Sequence, residues 1–222
     1  MENTMKVEIW SDVMCPFCYI GKRKFEAALE QFPDKDKVQL VWKSFQLAPE
    51  LITQPDKSLH QFLSEHKGIS FEQAKGMNDH VSQLAKQVGL VYNFDISIVA
   101  NSFNAHRFTH FAKQYNKQNE AEESLFRSYF TDGKNIDNYP TLIQLGSEIG
   151  LDPIALKTAL ENGRYADEVR TDIYEAQQVG VRGVPFFVFN RKYAVSGAQE
   201  TPVFLETLQK SYAEWWQENM EF

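Results

Sequence analysis

Cys15-Pro16-Phe17-Cys18 follows the short apolar run Val7-Glu8-Ile9-Trp10 and opens the helical stretch from Tyr19 to Gln31. These are the only two cysteines among 222 residues. Two thiols spaced C-x-x-C at a strand-to-helix junction can close a disulfide with little backbone movement. They can also hand that disulfide to another molecule. The pattern points to a thiol–disulfide exchange centre.

The composition narrows the alternatives. Hydrophobic residues make up 43% and aromatic residues 14% of the chain, enough for a substantial core. The formal net charge of −7 disfavours a partner such as the nucleic-acid backbone, which selects basic surfaces. No Lys/Arg cluster suggests an anionic membrane surface. Met1-Glu2-Asn3-Thr4-Met5-Lys6 lacks the apolar core of a signal peptide, and no apolar run is long enough to span a bilayer. A cytoplasmic protein is therefore expected. There a lone C-x-x-C is catalytic, redox-sensing or metal-binding more often than structural.

Outward from the cysteines, Val7 to Ser11 reads as a buried strand, and Pro16 suits the first turn of a helix. Phe25, Ala28, Leu29 and Phe32 continue a helical stripe, and Val38 to Phe45 reads as a second strand, giving a β-α-β unit. From Leu51 to Val179 the period is almost entirely helical. Ser70-Phe71-Glu72-Gln73 is a capping box, a second helix is expected from Ile98 to Tyr115, and Asp152-Pro153 starts a short helix. Strand chemistry returns at Phe186-Phe187-Val188-Phe189 and Tyr193 to Ser196, before a last helix capped at Thr201-Pro202. Glu214, Glu218 and Glu221 read as a solvated face of that helix. Tyr212, Trp215 and Trp216 are more aromatic than solvation needs, and suit docking on the domain or on a homodimer partner.

The expected chemistry follows from helix geometry. Cys15, at the helix N-terminus, meets unpaired amides that favour an anion and is the attacking sulfur; Cys18, one turn further, is more buried and resolves the mixed disulfide. Pro16 and Phe17 tune the pair. Phe17 brings neither positive charge nor a hydrogen-bond donor, which makes a weaker oxidant than a histidine there would. A zinc site needs two more ligands, and the five histidines, His60, His66, His80, His106 and His110, form no second ligand pair. Asp12 is a turn-capping residue or a proton shuttle for Cys18. In the helix after Asn101, that residue and Asn104 share a side with Phe108, Phe111 and Tyr115. They serve either as local helix-packing groups or as the lining of a substrate groove. Pro185, opening a strand, is managed by a cis bond or by an ordinary loop.

Without the helical block, the order β-α-β…β-β-α is that of a thioredoxin fold. The motifs that complete the picture are Ser11-Asp12-Val13-Met14-Cys15-Pro16-Phe17-Cys18-Tyr19-Ile20-Gly21-Lys22, Phe45-Gln46-Leu47-Ala48-Pro49, Asn101-Ser102-Phe103-Asn104-Ala105-His106-Arg107, Leu125-Phe126-Arg127-Ser128-Tyr129-Phe130, Gly180-Val181-Arg182-Gly183-Val184-Pro185-Phe186-Phe187-Val188-Phe189 and Val195-Ser196-Gly197-Ala198-Gln199. With these the chain resembles the DsbA family, specifically its cytoplasmic FrnE-like group. That group is related to 2-hydroxychromene-2-carboxylate isomerases and kappa-class glutathione transferases. Phe17 stands where periplasmic members carry histidine, and Ala48 where the FrnE-like pattern has asparagine.

The resemblance implies an α/β, thioredoxin-like fold with a large all-helical insertion: residues 1–50 and 180–222 as two halves, and 51–179 inserted. It implies a cis-proline loop at Val184-Pro185 facing the cysteines and binding substrate. It also implies no bound metal or cofactor, with glutathione a candidate co-substrate. The expected function is disulfide exchange with protein or low-molecular-weight thiols. Two other readings stay open: a glutathione-dependent isomerase or transferase of small aromatic substrates, and a redox-sensing binding protein.

Overall fold

Met5–Ser11 forms strand β1, the centre of a four-stranded sheet, in a computed structural model that describes residues 4–220. Met1 to Asn3 and Glu221 thus lie outside the described residues. The chain divides into two compact units, one holding the chain up to Phe45 and from Asp172 onward, the other holding Gln46–Thr171.

In the first unit β1 runs into α1 (Pro16–Glu30) and then β2 (Val38–Ser44), which pairs parallel to β1 from Met5↔Val38 to Ser11↔Ser44. A parallel pair needs a crossover, and α1 supplies it. In the second unit come β3 (Gln54–Ser58), α2 (Leu59–Lys67), α3 (Phe71–Gln87), β4 (Ile98–Val99), α4 (Phe103–Lys113), α5 (Gln118–Phe130), α6 (Tyr139–Glu148) and α7 (Pro153–Glu161). Helix α8 (Ala166–Gln178) begins in that unit and ends in the first. The first unit then closes with β5 (Phe186–Phe189), β6 (Tyr193–Ser196) and α9 (Thr201–Met220). Its sheet order is β2-β1-β5-β6, with β5 antiparallel to both neighbours. This is a thioredoxin-like α/β fold with a helical insertion.

The core of the sheet unit is aromatic. Phe25 of α1 packs on Phe187 and Phe189 of β5 and edge-on to Phe204 of α9, with centroids 5.4, 6.1 and 5.7 Å away. Tyr212 and Trp215 are buried, Tyr212 edge-on to Phe32, so docking on the domain accounts for both. Trp216 stays exposed.

The chain passes from one compact unit to the other after Phe45 and again after Thr171. The reason is Asp172. Its carbonyl accepts the Trp10 indole N–H at 3.0 Å, and its carboxylate accepts Ser44 N–H at 3.0 Å and Lys43 Nζ at 2.9 Å. These bonds bind α8 to the sheet at its middle residue. The inserted unit, in turn, is not wholly helical: β3 and β4 make an antiparallel ribbon with an irregular register. Gln54-Pro55-Asp56-Lys57-Ser58 has none of the branched apolar pattern that marks a strand, so it was invisible to periodicity. The Ser70–Gln73 capping box and the Asp152 cap both form. The helix expected from Ile98 starts at Phe103 instead, because Asn101 holds a loop ahead of it.

Lys43 also bonds Glu175 at 2.9 Å and lies 4.0 Å from Glu8, while Arg191 pairs with both Glu8 and Glu175. Burial works against the ionised Glu175, but its bonds to Lys43 and Arg191 outweigh that and hold its carboxyl below the usual range. The Asp172→Ala variant takes the acceptor from Ser44 N–H and one of two close carboxylates from Lys43, which keeps Glu175. It should lose about 3–5 kcal/mol of stability in urea unfolding, as when one member of a buried pair is removed. The folded state also keeps Glu175 ionised at a pH where the unfolded chain has taken up a proton. The stability from that group is therefore full at neutral pH and is lost as the pH falls through the acid range.

Candidate active site

The junction between β1 and α1 is built by a short turn. Asp12 is fully buried; its carbonyl accepts Cys15 N–H at 2.9 Å and its carboxylate accepts Met14 N–H at 3.3 Å. The turn-capping role of Asp12 is thus met. Cys15 is the N-cap residue of α1, with extended backbone (φ −87°, ψ 110°), and Pro16 follows at the first helical turn. Cys18 N–H donates back to Cys15 carbonyl at 3.0 Å.

Both cysteines are free thiols in this structure, Cys15 4% and Cys18 1% exposed. Phe17 between them is exposed. Burial pushes the Cys18 thiol well above its usual range, and the Cys15 thiol beside it pushes the same way. The Ser11 hydroxyl and the backbone of Asp12 pull in the opposite direction. Among the described residues, no third histidine, cysteine or carboxylate joins the thiols in a metal-binding group.

The loop before β5 closes the site. The Val184–Pro185 peptide is cis. Cys15 Sγ donates to the Val184 carbonyl at 3.5 Å. Val184 and Phe186 pack against the buried cluster of Trp10, Ala176 and Val181. Pro185 carbonyl accepts the Gly197 N–H at 2.8 Å, and Gly197 has the left-handed φ of 81° that glycine tolerates best. Thus Cys15, Cys18, Val184 and Pro185, far apart in sequence, meet in one place.

Asn101 and Asn104 belong to the other unit, where their carboxamides are occupied. Asn101 donates to Leu51 carbonyl at 2.7 Å and Pro49 carbonyl at 3.3 Å, and accepts from Gln46 and from Phe103 N–H. Asn104 donates to Asp137 at 2.7 Å and accepts from Arg107. Arg107 also donates to the carbonyls of Ala159 and Leu160 at the end of α7, to that of Arg164 beyond it, and to the Tyr139 hydroxyl. Both carboxamides, expected either to pack locally or to line a substrate groove, make local hydrogen bonds in this unit.

One residue of the site was not singled out by the sequence. Gly21 lies on α1 where a side chain would meet the Pro185 ring: a Cβ there would stand 2.9 Å from Pro185 Cγ and 3.5 Å from Ala198. A glycine inside a helix is the available signal of such close approach. Gly21→Ala should press α1 off the proline loop and cost about 1–3 kcal/mol in urea unfolding through overpacking. The rate of Cys15 alkylation should change with it, whereas Gly76→Ala, with open space around it, should leave that rate unchanged.

With this geometry in hand, comparison with known proteins is informative. A family model for the DSBA-like thioredoxin domain matches residues 6–209. The uncharacterized protein YwbO of Bacillus subtilis (strain 168) is 30% identical over 203 residues, covering 90% of this chain and 94% of that one. The crystal structure of a probable DsbA oxidoreductase from Streptomyces coelicolor is 38% identical with a TM-score of 0.88, covering 95% of this chain and 91% of that chain. The cytosolic disulfide reductase DsbM of Pseudomonas aeruginosa, in a structure with GSH, shares the fold at 15% identity and a TM-score of 0.63, covering 96% of this chain and 98% of that chain. The chain belongs to the DSBA-like thioredoxin domain family.

Proposed function

We propose that the protein is a dithiol–disulfide oxidoreductase that exchanges a Cys15–Cys18 disulfide with protein or low-molecular-weight thiols. The observation that carries this reading is the placement of two free thiols one helical turn apart, with Cys15 Sγ against the carbonyl of Val184. In the reductive direction the Cys15 thiolate attacks a substrate disulfide. One substrate sulfur leaves as a thiolate and the other stays bonded to Cys15. Cys18, once deprotonated, attacks the Cys15 sulfur and expels the second substrate thiolate. Two electrons pass to substrate and the Cys15–Cys18 disulfide is left behind. The oxidative direction reverses each step.

The same arrangement supports roles for the neighbours. The backbone of Val184 is suited to pair with an extended substrate, whose N–H would take the place of the Cys15 S–H at its carbonyl. The exposed ring of Phe17, between the two cysteines, offers apolar surface to such a substrate. Glutathione is a reasonable co-substrate, and a cytoplasmic location fits a pair poised toward reduction. No described helix is long and apolar enough to cross a membrane.

The balance between directions follows from Cys18. Burial disfavours its thiolate, and Phe17 offers no donor to offset that. A dithiol form that is not stabilised as a thiolate makes a weak oxidant. Equilibration with glutathione should therefore place the Cys15–Cys18 couple well below the roughly −120 mV of a strongly oxidising periplasmic DsbA. The assignment of roles has a direct trial. Cys18→Ser, mixed with a disulfide substrate, should accumulate a mixed disulfide on Cys15, detected by mass spectrometry, and lose turnover by at least about 100-fold, as expected when an acting group is removed. A variant that turns over normally in the presence of glutathione, with no trapped species, would instead mark an isomerase or transferase.

A further inference from the structure

Ser11 ends β1 one residue before the turn that leads to the thiols, and it is 1% exposed. Its carbonyl is used, accepting Phe45 N–H at 3.0 Å. Its hydroxyl is different: Ser11 Oγ is buried and makes no well-formed hydrogen bond in the dithiol structure. A buried hydroxyl without a partner is costly, so its retention calls for a reason. An alanine would occupy the same strand position without that cost.

The reason is found at Cys18. Apart from the Cys15 thiol, the groups that act on the Cys18 sulfur are the Ser11 hydroxyl and the backbone of Asp12, and both favour its anionic form. A thiol is a poor acceptor, whereas a thiolate is a strong one, and a bond to a charged partner is about twice as strong as a neutral one. A donor that is idle beside the thiol and engaged beside the thiolate stabilises only the reacting form.

We propose that the Ser11 hydroxyl, together with the Asp12 amide, is the donor set that receives the Cys18 sulfur when it becomes a thiolate. This rests on the reading of Cys18 as the resolving thiol. In the reductive direction Cys18 gives its proton to water, and the sulfur anion takes up the Ser11 O–H and Asp12 N–H bonds. It then attacks Cys15; the Cys15–Cys18 bond forms, the bond from Cys15 to substrate breaks, and the substrate leaves as a thiolate. In the oxidative direction a substrate thiolate attacks Cys15 and Cys18 is the leaving group, held by the same two donors. Cys15, by contrast, faces the Val184 carbonyl.

The experiment mixes reduced protein with one equivalent of 5,5′-dithiobis(2-nitrobenzoate) in a stopped-flow instrument across the neutral to alkaline range. The first release of thionitrobenzoate reports attack by Cys15, and the second reports resolution by Cys18. Ser11→Ala should keep the first release within about twofold of wild type. It should slow the second about tenfold at neutral pH and move its midpoint upward by about one unit, the effect of removing one donor to a charged group. Ser11→Thr, which keeps the hydroxyl, should recover the second release. Thermal unfolding should show Ser11→Ala at least as stable as wild type, because it removes a polar atom without a partner; a merely structural serine would not combine that with slower resolution. An unchanged second release in Ser11→Ala, or a proportional fall of both releases, would overturn the assignment of Ser11 while leaving Cys18 as resolver. A single release from the wild-type protein would overturn the resolving role of Cys18 itself, and the donor set with it.

Discussion

A sulfur anion is hard to hold away from water, and the junction after β1 places Cys18 in that position. Much of the sheet unit answers to this constraint. The strand must be central, so that its end is covered; the helix must start within four residues of it, so that two sulfurs share one turn. The remaining wall comes from the other end of the chain, where the proline loop is fixed by the Gly197 amide and admitted by the bare face of Gly21. Aromatic packing of Phe25 on Phe187, Phe189 and Phe204 then sets the height of α1 over the sheet.

The opposite need, holding a distant segment to the sheet, is met by charge. Glu8, Lys43, Asp172, Glu175 and Arg191 come from β1, β2, α8 and the β5–β6 turn. Three carboxylates share two cations there. Networks of this kind contribute less to stability than their number suggests, because each ion gives up hydration. Their geometric demand is strict, however. Asp172 can satisfy Ser44 N–H and Lys43 together only with α8 in one position along the sheet.

How far the sequence spoke for this arrangement depended on the signal involved. Strand β1, helix α1 and strands β5 and β6 were legible because apolar residues recur at the right period and turn residues flank them. Cys15, Cys18 and the Val184-Pro185 loop were legible as residue types at known spacings. Glu8 was not: set within an apolar run, it gave no hint that Arg191 would reach it. Ribbon β3–β4 was hidden because Gln54 to Ser58 is polar and β4 has only two residues. Asn101 was visible as a polar residue among apolar ones, but its partners, the carbonyls of Pro49 and Leu51, carry no sequence signature. Backbone acceptors look alike in every residue, so bonds to them emerge only when the chain is folded.

The division of the sheet unit between residues up to 45 and residues from 172 has a bearing on synthesis. The cysteine pair leaves the ribosome early, in a segment that has β2 as a neighbour but neither β5 nor the proline loop. At common elongation speeds of about 5–20 residues per second, the stretch between the halves takes roughly ten seconds to make. Throughout that interval the two thiols lack the wall that encloses them in the finished protein. A nascent chain is thus open to oxidants and to stray disulfide partners in a way that the completed fold is not. The order of the code, as much as the final geometry, sets how long the two thiols stand open.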